Sequence, residues 1–315
     1  MIDLFYKSYA KVSGDRLAWK FFGSSLRILC YHGVCADHLA HESWMPSYFV
    51  TRSAFDFQLG YLRQQAVVLP LSEAMRRLRD GSLPSAAVSL TFDDGYANNI
   101  AAALPLLEKH RLPATLFLST AYIETGDWYP FLKVKLLRLF RPGVDLPEYK
   151  SNPVDVVRDA TRQHWAEVEA GLTPEQYETL RPLTVAEVQA VESPLLEFGA
   201  HSHTHPLARN ESGARRREEV RVSVRKVGEW ARRTASVYSY PNGEAGDFGE
   251  PEAETLRDEG IDAAVTGVAG ANRWPCPPYE LRRYPLTLKH DEWRFRAEAT
   301  GLRTALLRVT GTRHS

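Results

Sequence analysis

A chain of 315 residues is long enough for two average domains or one large α/β barrel, and it can bury a substantial core. Its 44% hydrophobic and 25% charged residues are the balance of a folded globular protein and argue against disorder. Lys plus Arg and Asp plus Glu both number 39, so no net field draws in nucleic acid or an anionic membrane, and no nucleic-acid partner is expected.

The N-terminal segment 1–25 mixes Phe5, Tyr6, Phe21 and Phe22 with Lys7, Lys11, Asp15, Arg16 and Lys20. It contains no continuous apolar run of the kind that spans a membrane or directs export, so the expectation is a cytoplasmic protein. As an amphipathic segment it would pack on the body of the protein or touch a membrane peripherally. Cys30, Cys35 and Cys276 are too few and too irregular for a disulfide framework or a cysteine-rich zinc module, which fits a reducing compartment.

Arg27–Tyr31 reads as a short first strand with His32 and Gly33 at its tip, and residues 37–51 lack a period and read as loop. Phe55, Leu59 and Leu62 recur at helical spacing over Ser53–Gln64. Ala66–Leu69 follows as a strand, and Ser72 is placed to cap a helix running to Arg79. The stretch Ala87–Tyr96, A-V-S-L-T-F-D-D-G-Y, is an apolar strand stopped by two carboxylates and a glycine. Strand ends of this kind carry the chemistry of α/β enzymes, although Asp-Gly also serves as a plain turn.

A helix is expected over Ala97–His110, with Pro105 near its middle, and a buried strand over Ala114–Ser119. Strand, helix, strand in repetition implies a parallel sheet with helices outside. Residues 124–182 lose that rhythm and read as a helical insertion, with helices over Lys133–Phe140, Asn152–Ala170 and Thr173–Leu180 and few large apolar residues. Such an insertion either packs on the body or rims a pocket. Thr184 with Glu187 opens a further helix by a capping box, and Leu195–Ala200 is a strand that runs into His201. A helix over Glu211–Thr234 alternates arginines with glutamates on a solvated face. Strands at Val237–Tyr240 and Asp262–Thr266 flank a helix at Glu252–Glu259, and the terminal segment 291–315 holds a helix over Arg294–Arg308.

H-S-H-T-H at His201–His205 has no evident packing purpose at a strand end. Neutral imidazole is the commonest transition-metal ligand, and two rings four residues apart can converge on one ion. Two histidines and one carboxylate would leave a coordination position for water. Either Asp93 or Asp94 could be that third ligand, leaving the other as a base.

T-F-D-D-G at Thr91–Gly95, H-S-H-T-H at His201–His205 and Y-P-N-G at Tyr240–Gly243, in this order and each at a strand end, resemble the polysaccharide deacetylases of carbohydrate esterase family 4, the chitooligosaccharide deacetylase homology group. The resemblance extends loosely from Ile28 to Leu286. It implies an α/β fold, a distorted parallel (β/α) barrel of about seven strands over residues 26–290, and a divalent metal ion, zinc before others. By that resemblance Asp94, His201 and His205 hold the metal, Asp93 is the general base, and the backbone N–H of Asn242 stabilises the oxyanion.

Two features depart from the commoner pattern. Ser239 stands where an arginine usually orients the base, and Arg283, in L-R-R-Y-P-L, is the candidate replacement. The usual C-terminal histidine acid is missing. Members that act on poly-N-acetylglucosamine carry it near the N-terminus in a Tyr-His motif, which C-Y-H-G at Cys30–Gly33 matches, so the resemblance makes His32 the general acid. His203 would lie outside the ligand set. Trp128, Tyr129, Trp274 and Tyr279 are candidates to stack on a sugar.

The expected activity, by resemblance, is metal-dependent removal of N-acetyl groups from an amino sugar in a polysaccharide or glycan precursor, giving acetate and a free amine. The partner would be an N-acetylated glycan or glycolipid precursor. Two other readings stand beside it. One is deformylation or hydrolysis of a cyclic amide on the same scaffold. The other is a catalytically inactive carbohydrate-binding protein, for which the missing motif arginine argues and the full set Asp93, Asp94, His201 and His205 argues against.

Overall fold

The structure, a computed structural model, describes residue 19 and residues 25–232 and 235–302. Ten strands are found among them: β1 (Arg27–Tyr31), β2 (Val34–Cys35), β3 (Val50–Thr51), β4 (Val67–Val68), β5 (Ala87–Phe92), β6 (Ala114–Leu118), β7 (Leu196–Ala200), β8 (Val237–Ser239), β9 (Ala263–Ala269) and β10 (Leu281–Pro285). Seven of them close into a parallel ring in the order β1-β10-β9-β8-β7-β6-β5, because β1 pairs with β5 as well as with β10. The β1–β5 seam runs in register from Arg27 opposite Val88 to Tyr31 opposite Phe92. The other edge of β5 is shared, by β4 at Ala87 and Val88 and by β6 at Thr91 and Phe92.

The helices are α1 (Arg52–Gln65), α2 (Leu71–Arg79), α3 (Leu104–His110), α4 (Thr120–Thr125), α5 (Pro130–Phe140), α6 (Val154–Ala170), α7 (Pro174–Leu180), α8 (Val185–Gln189), α9 (Gly213–Ala231), α10 (Glu250–Asp258) and α11 (Glu292–Thr300). Among the described residues no helix is long and apolar enough to cross a membrane. The N-terminal amphipathic segment lies outside the described residues, apart from residues 19 and 25, and so does the C-terminal helix beyond residue 302.

Successive strand residues point to opposite faces, and this alternation sorts the ring. Leu29, Tyr31, Leu90, Phe92, Leu116 and Leu118 pack outward into the main core with α1, α3 and α9. Ile28, Phe117, Val237, Val265 and Leu281 pack in a separate cluster with Leu71, Ala74, Met75 and Leu78 of α2, which plugs the N-terminal end of the ring. The same parity carries Cys30 on β1 and His32 just after it, Thr91 on β5 and Asp93 just after it, His201 after β7, Ser239 on β8 and Arg283 on β10 to the inner face. The inside of the ring is therefore apolar at one end and polar at the other.

Several local expectations are corrected. The helix after β5 is interrupted: a single π-type turn at Asn99–Ala103 precedes α3, and this places Pro105 in the first turn of α3, where its missing N–H costs nothing. Ser72 does not cap α2. The helix begins after Pro70, and its first donors go to the ring instead, Leu71 N–H to Thr115 Oγ1 at 3.2 Å and Ser72 N–H to Glu197 Oε2 at 3.3 Å. The capping box at Thr184 and Glu187 is present, and Thr173 with Gln176 forms a second one.

The stretch 124–182 is richer in large apolar groups than its lack of rhythm suggests. Trp128, Tyr129, Leu132, Leu136, Leu137 and Trp165 form a buried cluster with Trp44, Met45 and Phe49 from the loop between β2 and β3. At the far end of the chain, α11 returns toward the start of the ring, and Gly301 lies beside the side chain of Arg27.

Candidate active site

β5 ends with Asp93 still on the inner face, and Asp94 then takes a left-handed backbone conformation at φ 73°. Ser202, His205 and Asn242 do the same, at φ 59°, 54° and 58°. Four non-glycine residues in this sparsely allowed region at one end of one barrel mark a site whose geometry is held by its surroundings. Tyr129 Oη donates to the Asp94 carbonyl at 2.5 Å. Glu219, buried on α9, accepts from the N–H groups of His203 and Thr204 at 2.9 and 2.6 Å and from Thr204 Oγ1 at 2.8 Å.

Asp94, His201 and His205 are all buried, and their ligand atoms lie within 4.8 Å of one another. Nε2 of His201 is 3.4 Å and Nε2 of His205 is 3.2 Å from Asp94 Oδ1, an oxygen that has no aligned hydrogen-bond donor. The outer partners decide which ring nitrogens carry protons. His201 Nδ1–H donates to the carbonyl of Ser239 at 2.7 Å. Tyr149 has a single proton and bonds to both the carbonyl and Nδ1 of His205; the carbonyl can only accept, so Nδ1–H donates to the tyrosine oxygen. Two imidazole lone pairs and a carboxylate oxygen therefore meet at one point, which requires positive charge between them. Extra protons on two buried rings with centroids 4.9 Å apart would repel each other, whereas one divalent cation satisfies all three. The residues present fit a metal ion.

Asp93 is held apart from this cluster. Arg283 grips both its oxygens, Nη1 to Oδ1 and Nη2 to Oδ2 at 2.7 Å each, while its Nε donates to the carbonyl of Thr266 at 2.8 Å. Both side chains are buried. Burial, the largest single effect, would raise the pKa of Asp93, but the charge and hydrogen bonds of Arg283 together with the pull of His201 and His32 outweigh it and bring the value down to about 2. Ser239, on the inner face of β8, brings no charge to Asp93; the charge that meets it comes from Arg283, two strands along the ring.

His32 is half-buried at the same end, with Nδ1 enclosed and without a hydrogen-bond partner. Burial lowers its pKa against the opposing pull of Asp94 and Asp93. Asn242 reaches the same cavity, its side chain tied to Asp247 Oδ2 at 2.5 Å, and its backbone N–H makes no hydrogen bond among the described residues. His203 turns away and meets Thr120 Oγ1 at 2.8 Å. The seven residues to which the resemblance gives catalytic or metal-binding roles, His32, Asp93, Asp94, His201, His205, Asn242 and Arg283, border one cavity of about 550 Å³.

The proposed sugar platforms are elsewhere. Trp128 and Tyr129 are core residues, Trp274 is 44% exposed, and Arg257 covers the ring of Tyr279. The aromatics that do line the cavity are Tyr48, Phe131 and Tyr149. They come from irregular segments and the insertion, where no sequence period marks a side chain as facing a site.

The turn carrying Asn242 depends on two glycines in backbone contact. A Cβ on Gly267 would collide with the Asn242 carbonyl oxygen, and one on Gly243, at φ 64°, with the Gly267 nitrogen. Gly267→Ala is therefore expected to displace the Asn242 N–H and lower kcat by about 10²-fold, the scale of losing one oxyanion donor. Steady-state kinetics checks this, and an unchanged kcat would separate that N–H from the chemistry.

Residues 80–261 match the polysaccharide deacetylase family, over half of the chain, and the chain belongs to that family of amide hydrolases. The poly-beta-1,6-N-acetyl-D-glucosamine N-deacetylase of Escherichia coli (strain K12) is 26% identical over 260 residues, 80% of this chain and 36% of that protein. The protein of the same name from Staphylococcus aureus (strain N315) is 32% identical over 104 residues, 32% of this chain and 36% of that protein. The chain thus spans about a third of the length of the curated relatives it matches. Among solved structures, the Streptococcus pyogenes deacetylase PplD in complex with acetate superposes with a TM-score of 0.61 at 17% identity, covering 90% of this chain and 98% of that one. IcaB from Ammonifex degensii superposes with a TM-score of 0.60 at 22% identity, covering 88% of this chain and 98% of that one. These two likenesses establish the barrel fold.

Proposed function

We propose that this protein removes N-acetyl groups from N-acetylglucosamine units of a polysaccharide or glycan precursor, releasing acetate and a free amine. The observation that carries the reading is the division of labour between neighbours: Asp94 meets two histidine lone pairs, and Asp93, one residue away, meets an arginine. The names of the E. coli and S. aureus relatives support the substrate class.

Asp94, His201 and His205 would hold a divalent cation, zinc being the natural choice for two imidazoles and one carboxylate. When bound, such an ion polarises an acyl oxygen and acidifies water. The remaining work falls to the chain. Arg283 occupies one lone pair on each Asp93 oxygen and the Cys30 thiol donates to Oδ2 at 3.6 Å, which leaves Oδ1 with a lone pair to take a proton from the attacking water. With its pKa near 2, Asp93 is charged at every physiological pH. The N–H of Asn242 donates to the oxygen that gains negative charge. His32, with a ring nitrogen within 4.8 Å of an Asp93 oxygen, gives a proton to the departing amine, a step that splits the amide without expelling an amide anion. Tyr48, Phe131 and Tyr149 form apolar walls for the sugar and limit water entry.

The test is to incubate zinc-loaded and chelator-treated protein with β-1,6-linked N-acetylglucosamine oligomers and with formylated counterparts, measuring acid and amine release. Acetate release that disappears on chelation and returns with zinc is expected. Protein that binds zinc normally yet turns over neither substrate refutes the proposal.

A further inference from the structure

We propose that Tyr149, from the insertion, is a positioning residue that fixes the tautomer of His205 and so makes the affinity of the site for its cation depend on the insertion. The inference rests on the reading that Asp94, His201 and His205 hold a divalent ion.

Tyr149 sits in the short turn between α5 and α6, far in sequence from the ring strands. It is partly buried at the cavity wall, and among the described residues its hydroxyl bonds to His205 alone, at Nδ1 (2.8 Å) and at the carbonyl. As argued above, these two bonds leave one arrangement of protons: Tyr149 O–H donates to the carbonyl, and His205 Nδ1–H donates back to the tyrosine oxygen. The lone pair is thereby confined to Nε2, the nitrogen 3.2 Å from Asp94. His201 has a backbone carbonyl for this purpose, which no side-chain change can remove. His205 depends on a side chain.

The segment that carries Tyr149 is itself docked against the loop that follows His205. Asn210 Nδ2 donates to the carbonyls of Lys150 and Asn152 at 3.3 and 3.0 Å, and Glu211 Oε1 accepts from Val154 N–H at 2.9 Å. Phe131, also from the insertion, lies against the His205 ring at a centroid separation of 5.0 Å. With Tyr129 holding the Asp94 carbonyl, the insertion supports two of the three candidate ligands. Partners that orient a ligating histidine are worth about 10–100-fold in metal affinity. Coupling is reciprocal, so occupation of the site must also stabilise the insertion's contact with it.

The test uses Tyr149→Phe, which removes one oxygen and keeps the ring packed on Phe131. Titration of metal-free protein with zinc against a competing chelator is expected to show a Kd weakened by about 10–100-fold. Thermal stability of the metal-free form should stay close to wild type. Hydrogen exchange of residues 149–154 should slow on adding zinc to wild type and respond less in the variant. Long-range ¹H–¹⁵N spectra of the metal-free wild type should place the His205 proton on Nδ1. A variant Kd within twofold of wild type overturns the proposal, as does a proton on Nε2 in wild type, a measurement that needs no variant. Wild-type protein that binds no zinc overturns both this inference and the reading beneath it, which separates the two failures.

Discussion

Asp93→Asn is expected to lower kcat by about 10²–10⁴-fold, the usual contribution of a positioned general base, while zinc still binds with its wild-type affinity. The two outcomes separate because the candidate ligands are Asp94, His201 and His205, and Asp93 has its own partner in Arg283. Asparagine fills the same space but presents one NH₂ group to a guanidinium that can only donate. One of the two 2.7 Å bonds becomes a meeting of donors, and a stability loss of about 1–3 kcal/mol accompanies the kinetic loss. Paired measurements of kcat and of zinc affinity decide the matter. A variant that keeps more than a tenth of wild-type activity removes Asp93 from the base role.

Arg283→Met is expected to be the most destabilising single change at the site, by about 3–5 kcal/mol at neutral pH, because it strands a buried carboxylate. The dependence on pH gives a sharper test. In the wild type Asp93 has a pKa near 2, below its ordinary 3.8, so the pair contributes stability above pH 4 that is lost as pH falls through the folded value. Without the arginine, burial acts in the opposite direction and lifts the pKa above the ordinary carboxylate range. The variant then holds a carboxylate that prefers its proton, and acid relieves it. The difference in Tm between variant and wild type should therefore shrink between pH 8 and pH 5, and the acid limb of kcat/KM should move upward. Arg283→Lys, which keeps a charge but not the fork, should fall between the two. A Tm deficit independent of pH would mean that Arg283 supports the ring without controlling the charge of Asp93.

The parts of this architecture that sequence made legible are those written in short periods. Apolar runs such as Val88–Phe92 and Leu195–Ala200 end at polar residues, and alternation of faces carries Asp93, His201 and Arg283 inward once the strands exist. Arg283 has a second pointer in the sequence: Ser239 stands where the resemblance implies an arginine, and Arg283, in L-R-R-Y-P-L, is the candidate to take its place. The wall made by Tyr48, Phe131 and Tyr149 was not legible, since which side chain of a loop, a short turn or a helix's first turn faces a cavity is set by tertiary packing. The same holds for Glu219, which looks in sequence like one more acid among the arginines of α9 yet is buried beneath the histidine turn. The insertion's own core was underread because Trp128 in a loop, Leu132 and Leu136 on α5 and Trp165 on α6 lie far apart in sequence and add up only when these segments pack.

The seam where β1 lies between β10 and β5 bears on the order in which the site residues occur along the chain. The polypeptide traces a closed circuit, with Gly301 returning to the side of Arg27. His32 comes first among the site residues because β1 is the first strand of the ring along the chain. A chain that entered the same ring after β1 and finished with it would put that histidine last around an unchanged cavity. For this barrel, linear order is a matter of where the string was opened, and the invariant to compare among relatives is the position of each residue around the ring.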